Sequence, residues 1–372
     1  MVRQIVIRAD ASELIGTGHV IRCLTLADEA ADRGWSVCFV MRTPTENIVK
    51  RILNSGHSVR PLFNDEQQKA VTRGAIRHSH WLAVTQEVDA SQTRSVVQEL
   101  KADWVIVDHY ALDATWHHII EQSCEKIFVI DDLADRDLDC SLLLNQNISP
   151  SAEAYRGKVS AKCKCLIGPK YALLRKEFQE WRSRSIARRY TKPLKRILIT
   201  MGGVDASNYT LQVLHELEKS DLAAKCEFIV ILGPAYPHKI YLDKFISLSR
   251  LSIKCRFDIR NMAETMTYSD MCVGAAGSTS WERCCLGLPT LIFSTAENQL
   301  EIACALEEHG ISLMSSTETI RDDFDKLLRH DNSVLLKNLV DNAMAACDGL
   351  GVVRAVDYME GINENCYTEF RS

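Results

Sequence analysis

No C-x-x-C pair occurs among the 14 cysteines of this 372-residue sequence. Cys163 and Cys165 form a C-x-C, and Cys284 and Cys285 are adjacent, but neither has a second pair at zinc-finger spacing, so no metal is assigned. Most cysteines sit in apolar runs, as Cys272 does beside Val273, which is the setting of buried reduced thiols. No apolar run approaches the ~18 residues that a bilayer-spanning helix needs. The chain starts directly in a strand, without the apolar segment of a secretory signal. A reducing cytoplasm and no membrane association are therefore expected. Basic charge is not in excess either: 44 Lys and Arg stand against 49 Asp and Glu, for a formal charge of −5. That balance argues against nucleic-acid binding. It leaves a small anionic substrate open, because a local site can be positive on an acidic protein. The G-x-S-x-G elbow, the G-x-x-x-x-G-K-[ST] loop and the G-x-G-x-x-G hexad are all absent, which removes serine-hydrolase, P-loop and simple dinucleotide-binding readings. Solenoid repeats and low-complexity segments are missing too, and no cofactor is expected.

What is present is an ordinary soluble composition, 46% hydrophobic and 25% charged. At ~150 residues per domain the length implies two domains. Near-continuous apolar runs rich in Ile and Val predict strands over 4–8, 36–42, 58–62, 104–108, 126–131 and 141–145. Helical patterns fall at 20–33, 46–54, 91–100 and 113–124. The alternation restarts at Arg196, with strands over 196–201, 227–232, 252–257, 271–275, 289–294 and 311–314. Helices are expected there at 208–219, 262–268, 278–286 and 299–309. Strands apolar on both faces belong to parallel sheets covered by helices. The expected fold is α/β: two doubly wound Rossmann-like domains facing across a cleft, over 1–185 and 196–345, with a linker at 186–195 and a C-terminal tail at 346–372. The basic run Arg182, Arg184, Arg188, Arg189, Lys192, Lys195 and Arg196, broken by Pro193, reads as a solvated helix end and linker ahead of a phosphate-binding strip.

Ligands in such sheets bind beyond the carboxyl ends of the strands. After the first strand, a polar loop holds Gly16 and Gly18, then His19 at a helix start, where free N–H groups and an imidazole titrating near neutrality come together. That combination suits a general base in a nucleotide-sugar enzyme. Gly202 and Gly203 follow the strand at 196–201; they suit close contact with a phosphate, or simply a tight turn. Gly277, Ser278 and Thr279 open a helix with hydroxyls in its first turn, an anion site in pattern, with Glu282 one turn inside. The alternative is plain capping, with Glu282 closing a capping box. Asn298 and Gln299 can read sugar hydroxyls or cap their own helix. Asp108, His109 and Tyr110, then Asp131 and Asp132, then Asn145, Gln146 and Asn147 are polar groups at strand ends; the acids either orient substrate or cap the next helix or loop. His78, His80, His117 and His118 look ordinary.

The stretch Arg8-Ala9-Asp10-Ala11, followed by Ile15-Gly16-Thr17-Gly18-His19-Val20-Ile21-Arg22-Cys23, resembles the N-terminal signature of the UDP-sugar hydrolases of pseudaminic acid biosynthesis. Their substrate is UDP-2,4-diacetamido-2,4,6-trideoxy-β-L-altropyranose. Further likeness lies at Val107 to Asp113, Ile130 to Arg136, Leu144 to Gln146, Gly168 to Phe178, Gly202 to Asp205 and Ala275 to Glu282, reaching almost to the final helix. The resemblance implies a glycosyltransferase-B architecture and hydrolysis at the anomeric carbon, with C–O cleavage, inversion and loss of UDP. It implies that His19 activates water, that Gly277, Ser278 and Thr279 with Gly202 and Gly203 hold the diphosphate, that Glu282 holds the ribose, and that backbone near Asn261 and Met262 recognises uracil. The sugar contacts implied are Asp10, Gly16, Gly18, Arg22, Tyr110, Asn145, Tyr171, Asn298 and Gln299. Ile21 stands where Met is common, and His109 where a small residue is frequent, which leaves the sugar preference open. A glycosyltransferase or a hydrolysing 2-epimerase on the same scaffold is the alternative. The only partner expected is a small-molecule UDP-sugar; the oligomeric state is not legible.

Overall fold

The computed structural model describes residues 2–12, 14–63, 76–190, 194–233, 236–257, 259, 261–329 and 333–361, with side chains except at 297 and 298. The first elements are β1 (Gln4–Ala9), α1 (Gly18–Asp32), β2 (Ser36–Arg42), α2 (Glu46–Asn54), β3 (Ser58–Leu62), α3 (Gln86–Leu100), β4 (Trp104–Asp108), α4 (Ala114–Glu121), β5 (Ile127–Ile130), β6 (Leu142–Asn145) and β7 (Lys164–Ile167). Next come α5 (Lys176–Arg188), β8 (Arg196–Thr200), α6 (Tyr209–Leu217), β9 (Glu227–Leu232), α7 (Lys239–Leu248), β10 (Ser252–Phe257), α8 (Met262–Thr267) and β11 (Met271–Ala275). The last are α9 (Thr279–Cys285), β12 (Thr290–Phe293), α10 (Glu297–Glu308), β13 (Leu313–Met314), α11 (Ile320–Leu328), α12 (Ser333–Ala346) and α13 (Gly351–Glu360).

Contacts divide the chain into two compact units. Unit 1 holds residues up to Leu174 and those from Leu350 on; unit 2 is Arg175–Gly349. In unit 1 seven parallel strands lie in the order β3-β2-β1-β4-β5-β6-β7. The residues of β1 and β4 are almost all buried, because helices cover both faces. Alternation along each strand sorts the core: Ile7, Phe39 and Ile106 pack with Leu24 of α1 and Ile52 of α2. Val6, Val40 and Val107 pack with Val97 of α3 and Trp116 and Ile120 of α4. The helix α13 belongs to this unit. Val352 and Val356 join the first cluster, Arg33 bonds Asp357 at 2.5 Å and Glu360 at 2.9 Å, and Trp104 Nε1 donates to Met359 O at 3.2 Å. A Cβ on Gly351 would stand 2.3 Å from the Tyr171 carbonyl carbon, so only glycine lets α13 start there.

Unit 2 is a six-stranded parallel sheet in the order β10-β9-β8-β11-β12-β13. Phe228 of β9 stacks on Phe324 of α11 within its core. The unit begins ahead of α5 for a reason visible in the arginines of that stretch. Arg182 donates to the carbonyls of Cys285, Met344 and Cys347, and Arg189 to those of Met266, Ser269 and Leu286. Two residues of the basic run are thus clamps on the carboxyl ends of α8, α9 and α12, where helix dipoles are negative. Lys192 and Pro193 lie outside the described residues. The sequence reading lacks β7, α7, α11 and α12, and gives α5 only as a helix end in the basic run and α13 only as part of the tail. It also starts α3 late: the helix begins at Gln86 because Thr85 caps it, accepting the Val88 N–H at 3.4 Å. No helix among the described residues is long and apolar enough to cross a membrane, and the cysteines among them are free thiols.

Candidate active site

The order of the first sheet reverses at the β1–β4 pair, the point where open α/β sheets bind ligands. From β1 the chain runs through a loop closed at Gly16, whose N–H donates to Ser12 O at 2.8 Å and whose φ of 77° suits glycine. It enters α1 at Gly18, with His19 in the first turn. β4 ends in Asp108 itself. There His19 Nδ1 lies 2.5 Å from Asp108 Oδ1. Arg22, next along the same helix face, bonds both oxygens of Asp108, Nε at 2.6 Å and Nη2 at 2.7 Å. Its Nη1 reaches Asp132, just beyond β5, at 2.6 Å. Asp132 also accepts the Tyr110 hydroxyl at 2.5 Å and the Asn147 amide at 2.8 Å.

Burial alone would push the Asp108 carboxyl up. The Arg22 guanidinium, helped by His19, more than reverses this and holds it far below the usual carboxylate range. An ionised carboxylate only accepts, so Nδ1 is the donor to it, and in the neutral ring this leaves the lone pair on Nε2. No described residue hydrogen-bonds Nε2, and that atom is not enclosed. Burial, then the neighbouring Asp132 charge, keeps the Tyr110 phenol protonated. The Tyr110 ring stands edge-on to His19 at 4.6 Å. Trp81 stacks on Tyr110 at 5.5 Å, and His78 lies 4.5 Å from Trp81. The result is an imidazole oriented by a carboxylate and flanked by an aromatic wall, an arrangement that can serve general-base chemistry.

Four of the expected sugar contacts lie inside the fold: Arg22 is spent on Asp108 and Asp132, and Asp10, Asn145 and Tyr171 have partners of their own. Asp10 bonds Arg8 at 2.6 and 2.8 Å and the Arg42 N–H at 2.7 Å. Arg8 and Arg42 in turn hold the fully buried Asp89, at 2.8 and 2.9 Å. His109, whose Nδ1 accepts the Ala111 N–H, lies 3.2 Å from Asp10 through Nε2. Asn145 is fully buried, its amide given to Pro150 O and the Tyr155 hydroxyl, both at 3.2 Å. Tyr171 packs in the core beneath α13. These side chains tie strand ends and loops together behind the His19 cluster.

In unit 2, β8 and β11 are paired, so the turns that come after them are neighbours. Gly202 has φ 92°, and a Cβ on Gly233 would stand 1.8 Å from Gly203 O, so that approach also requires glycine. Asp205 accepts the N–H groups of Tyr209 and Thr210 at 2.7 and 2.9 Å, fixing the start of α6. Gly277 and Ser278 lead into α9, where Glu282 Oε1 lies 3.5 Å from Arg175. Burial pushes the Glu282 carboxyl up, against the pull of Arg175. Met262 opens α8, half-buried. Gln299 Oε1 accepts the N–H and hydroxyl of Thr295 at 3.1 and 2.9 Å, closing the turn before α10. Asn298 lies outside the described side chains. No group of three or more metal-ligating side chains among the described residues is arranged to hold an ion.

Asp108 and Asp132 stand out more in space than in sequence, where capping explains them equally well. The signal was the doubly wound order, which sets the ends of β1, β4 and β5 side by side. Trp81 and His78 carried no signal, since they sit on a short turn between β3 and α3.

No protein-family model matches the chain. An uncharacterised protein of Methanocaldococcus jannaschii is 27% identical over 305 residues, 81% of this chain; the match spans 57% of that relative's length. The UDP-2,4-diacetamido-2,4,6-trideoxy-beta-L-altropyranose hydrolase of Campylobacter jejuni is 25% identical over 309 residues, 82% of this chain and 97% of the relative. This chain resembles that hydrolase. Among solved structures, MurG of Acinetobacter baumannii matches with a TM-score of 0.66 at 14% identity, covering 96% of this chain and 99% of that one. The fold is therefore of the glycosyltransferase-B type, two parallel-sheet α/β domains.

Proposed function

We propose that this chain hydrolyses a UDP-sugar at the anomeric carbon, releasing UDP and the free sugar with inversion. The sugar proposed is a 2,4-diacetamido-2,4,6-trideoxy hexose destined for a nonulosonic acid. One observation carries the reading: His19 Nδ1 lies 2.5 Å from Asp108 Oδ1, and no described residue hydrogen-bonds Nε2. A water oxygen bonds to the anomeric carbon while its proton passes to Nε2. The bond from that carbon to the β-phosphate oxygen breaks, and its electron pair leaves with UDP. General-base help of this kind is worth ~10²- to 10⁴-fold. Ionised Asp108 stabilises the imidazolium, and Arg22 keeps the proton from passing on to Asp108. Gly16, Gly18, Tyr110 and Trp81 border the sugar. In unit 2, donors at Gly277, Ser278 and Thr279 meet the departing charge, Gly202 and Gly203 allow close approach, Glu282 accepts from the ribose, and backbone at Met262 contacts uracil. Similarity to the Campylobacter jejuni hydrolase supports the choice of sugar.

The test is an NMR time course of the purified protein with UDP-2,4-diacetamido-2,4,6-trideoxy-β-L-altropyranose in ¹⁸O water. Equal release of UDP and inverted free sugar, with the label on the sugar, is expected. His19→Asn should abolish turnover and leave UDP affinity unchanged. UDP release only on adding an acceptor would point to a transferase, and inversion at the second sugar carbon to an epimerase.

A further inference from the structure

β11 carries a glycine within the strand, Gly274, and the space it leaves is occupied by a guanidinium. A Cβ there would stand 2.8 Å from Nη1 of Arg283. Arg283 is only 2% exposed. No described carboxylate forms an ion pair with it; Glu282, next in sequence, turns to Arg175 instead. The guanidinium donates to neutral oxygens: Nη2 to Ala275 O at 2.9 Å and Ser280 Oγ at 3.0 Å, Nη1 to Thr279 Oγ1 at 3.2 Å. Ser280 Oγ also accepts the Gly277 N–H at 3.3 Å.

A hydroxyl has one proton and two acceptor sites. Both acceptor sites of Ser280 are filled by N–H donors, and Thr279 already accepts from a cation. Their protons are left to be given elsewhere. The Ala275 carbonyl, the group at this strand end that would repel an anion, is occupied as well. The Cys272 thiol also bonds this guanidinium and the Glu282 charge acts on it from a distance, but no described carboxylate pairs with it, so a buried cation here gains when a further opposite charge comes to it.

We propose that Arg283 is a positioning residue for the diphosphate. It makes the turn 275–280 a surface of donors and supplies the positive potential beneath it, so the turn selects a nucleoside diphosphate over an uncharged nucleoside. This rests on the UDP-sugar reading and adds the residue that gives its nucleotide site a preference for charge. Arg283 acts through Thr279 and Ser280.

The experiment is calorimetric titration of the full chain, wild type, Arg283→Lys and Arg283→Gln, with UDP and separately with uridine. Wild type binds UDP more tightly than uridine. Arg283→Gln loses about 10- to 100-fold in UDP affinity, keeps its uridine affinity, and shows a weaker salt dependence for UDP. Arg283→Lys, which keeps the charge, retains most of the preference. Equal losses for UDP and uridine, or UDP affinity untouched in Arg283→Gln, overturns the proposal. Should Arg283→Gln fail to fold, Arg283→Lys decides: a retained UDP preference supports the proposal and a lost one overturns it. A wild type that binds no UDP refutes the nucleotide-sugar reading itself, an outcome distinct from all of these.

Discussion

Arg22 grips both oxygens of Asp108, at 2.6 and 2.7 Å, so the carboxylate that orients His19 is itself held in one plane. A bidentate guanidinium fixes geometry as well as charge. It keeps Asp108 ionised in the interior, and an ionised Asp108 dictates which imidazole nitrogen can act as the base.

Asp108→Asn should therefore lower kcat by about 10²- to 10⁴-fold with little change in KM, because an amide can hold the ring in the wrong tautomer. UDP affinity should be unaltered, and His19→Asn should cost less in the Asp108→Asn background than in wild type, since the two act as one unit. Steady-state kinetics of the single and double variants checks this; a kcat close to wild type in Asp108→Asn would remove the dyad from the mechanism.

Glu282 leads to a nucleotide-binding prediction. Glu282→Ala should weaken UDP about tenfold, the worth of hydrogen bonds to a charged group. It should also erase the discrimination between UDP and 2′-deoxy-UDP. Burial raises the Glu282 carboxyl, so UDP affinity should decline on acidification at a higher pH than an ordinary glutamate would give. Titrations with both nucleotides across pH test the assignment, and a variant that still prefers the ribonucleotide contradicts it.

His117 makes the fold acid-sensitive. Its Nδ1 accepts the Asp139 N–H at 3.2 Å, its Nε2 is enclosed without a partner, and burial pushes it down to about 3. The unfolded chain protonates this histidine near pH ~6.5; the folded chain does so only near pH 3. Stability is thus full above the unfolded value and falls as pH drops between the two, by up to about 1.4 kcal/mol per unit. Urea midpoints at pH 7.5 and 5.0 should separate less in His117→Gln than in wild type; equal separations would rule the residue out.

Asp89 is a structural prediction. Its carboxylate takes Arg8 at 2.8 Å, Arg42 at 2.9 Å and Trp116 Nε1 at 2.9 Å, all with no exposure of its own. Asp89→Ala leaves two buried guanidinium groups short of charge and should cost about 3–5 kcal/mol. A melting temperature near wild type would show that water or a shift in Asp10 compensates.

Parallel strands announce themselves in sequence because helices on both faces force apolar residues at every position. That is why β2, β4, β9 and β11 were legible to the residue; the edge strands β3 and β10, mostly exposed, were found from their place in the strand–helix alternation. β7 was not: Lys164 is exposed and Cys165 and Ile167 half-buried at the sheet edge, which removes the continuous run. α11 and α12 are amphipathic helices in a stretch without a strand to mark their ends. Gly16, Gly18 and His19 stood out as a pattern in adjacent residues; the left-handed φ of 77° at Gly16 is a local need, and local need is written locally.

Partnership is not written locally. Whether Asp108 caps a turn or orients His19 depends on β4 lying against β1, and the two residues are separated by 89 positions. Asp10, equally polar and adjacent to the same loop, faces Arg8 and the Arg42 backbone instead. The sequence alone determined the alternation of strand and helix, the two-domain plan and the imidazole at a glycine-rich helix start, since all three arise from short-range pattern. Only the tertiary structure decided which acids reach that imidazole, which arginines became clamps and which one lies under a turn with no ion pair to a described carboxylate, because burial and charge pairing are properties of neighbours that the chain brings together only when it folds.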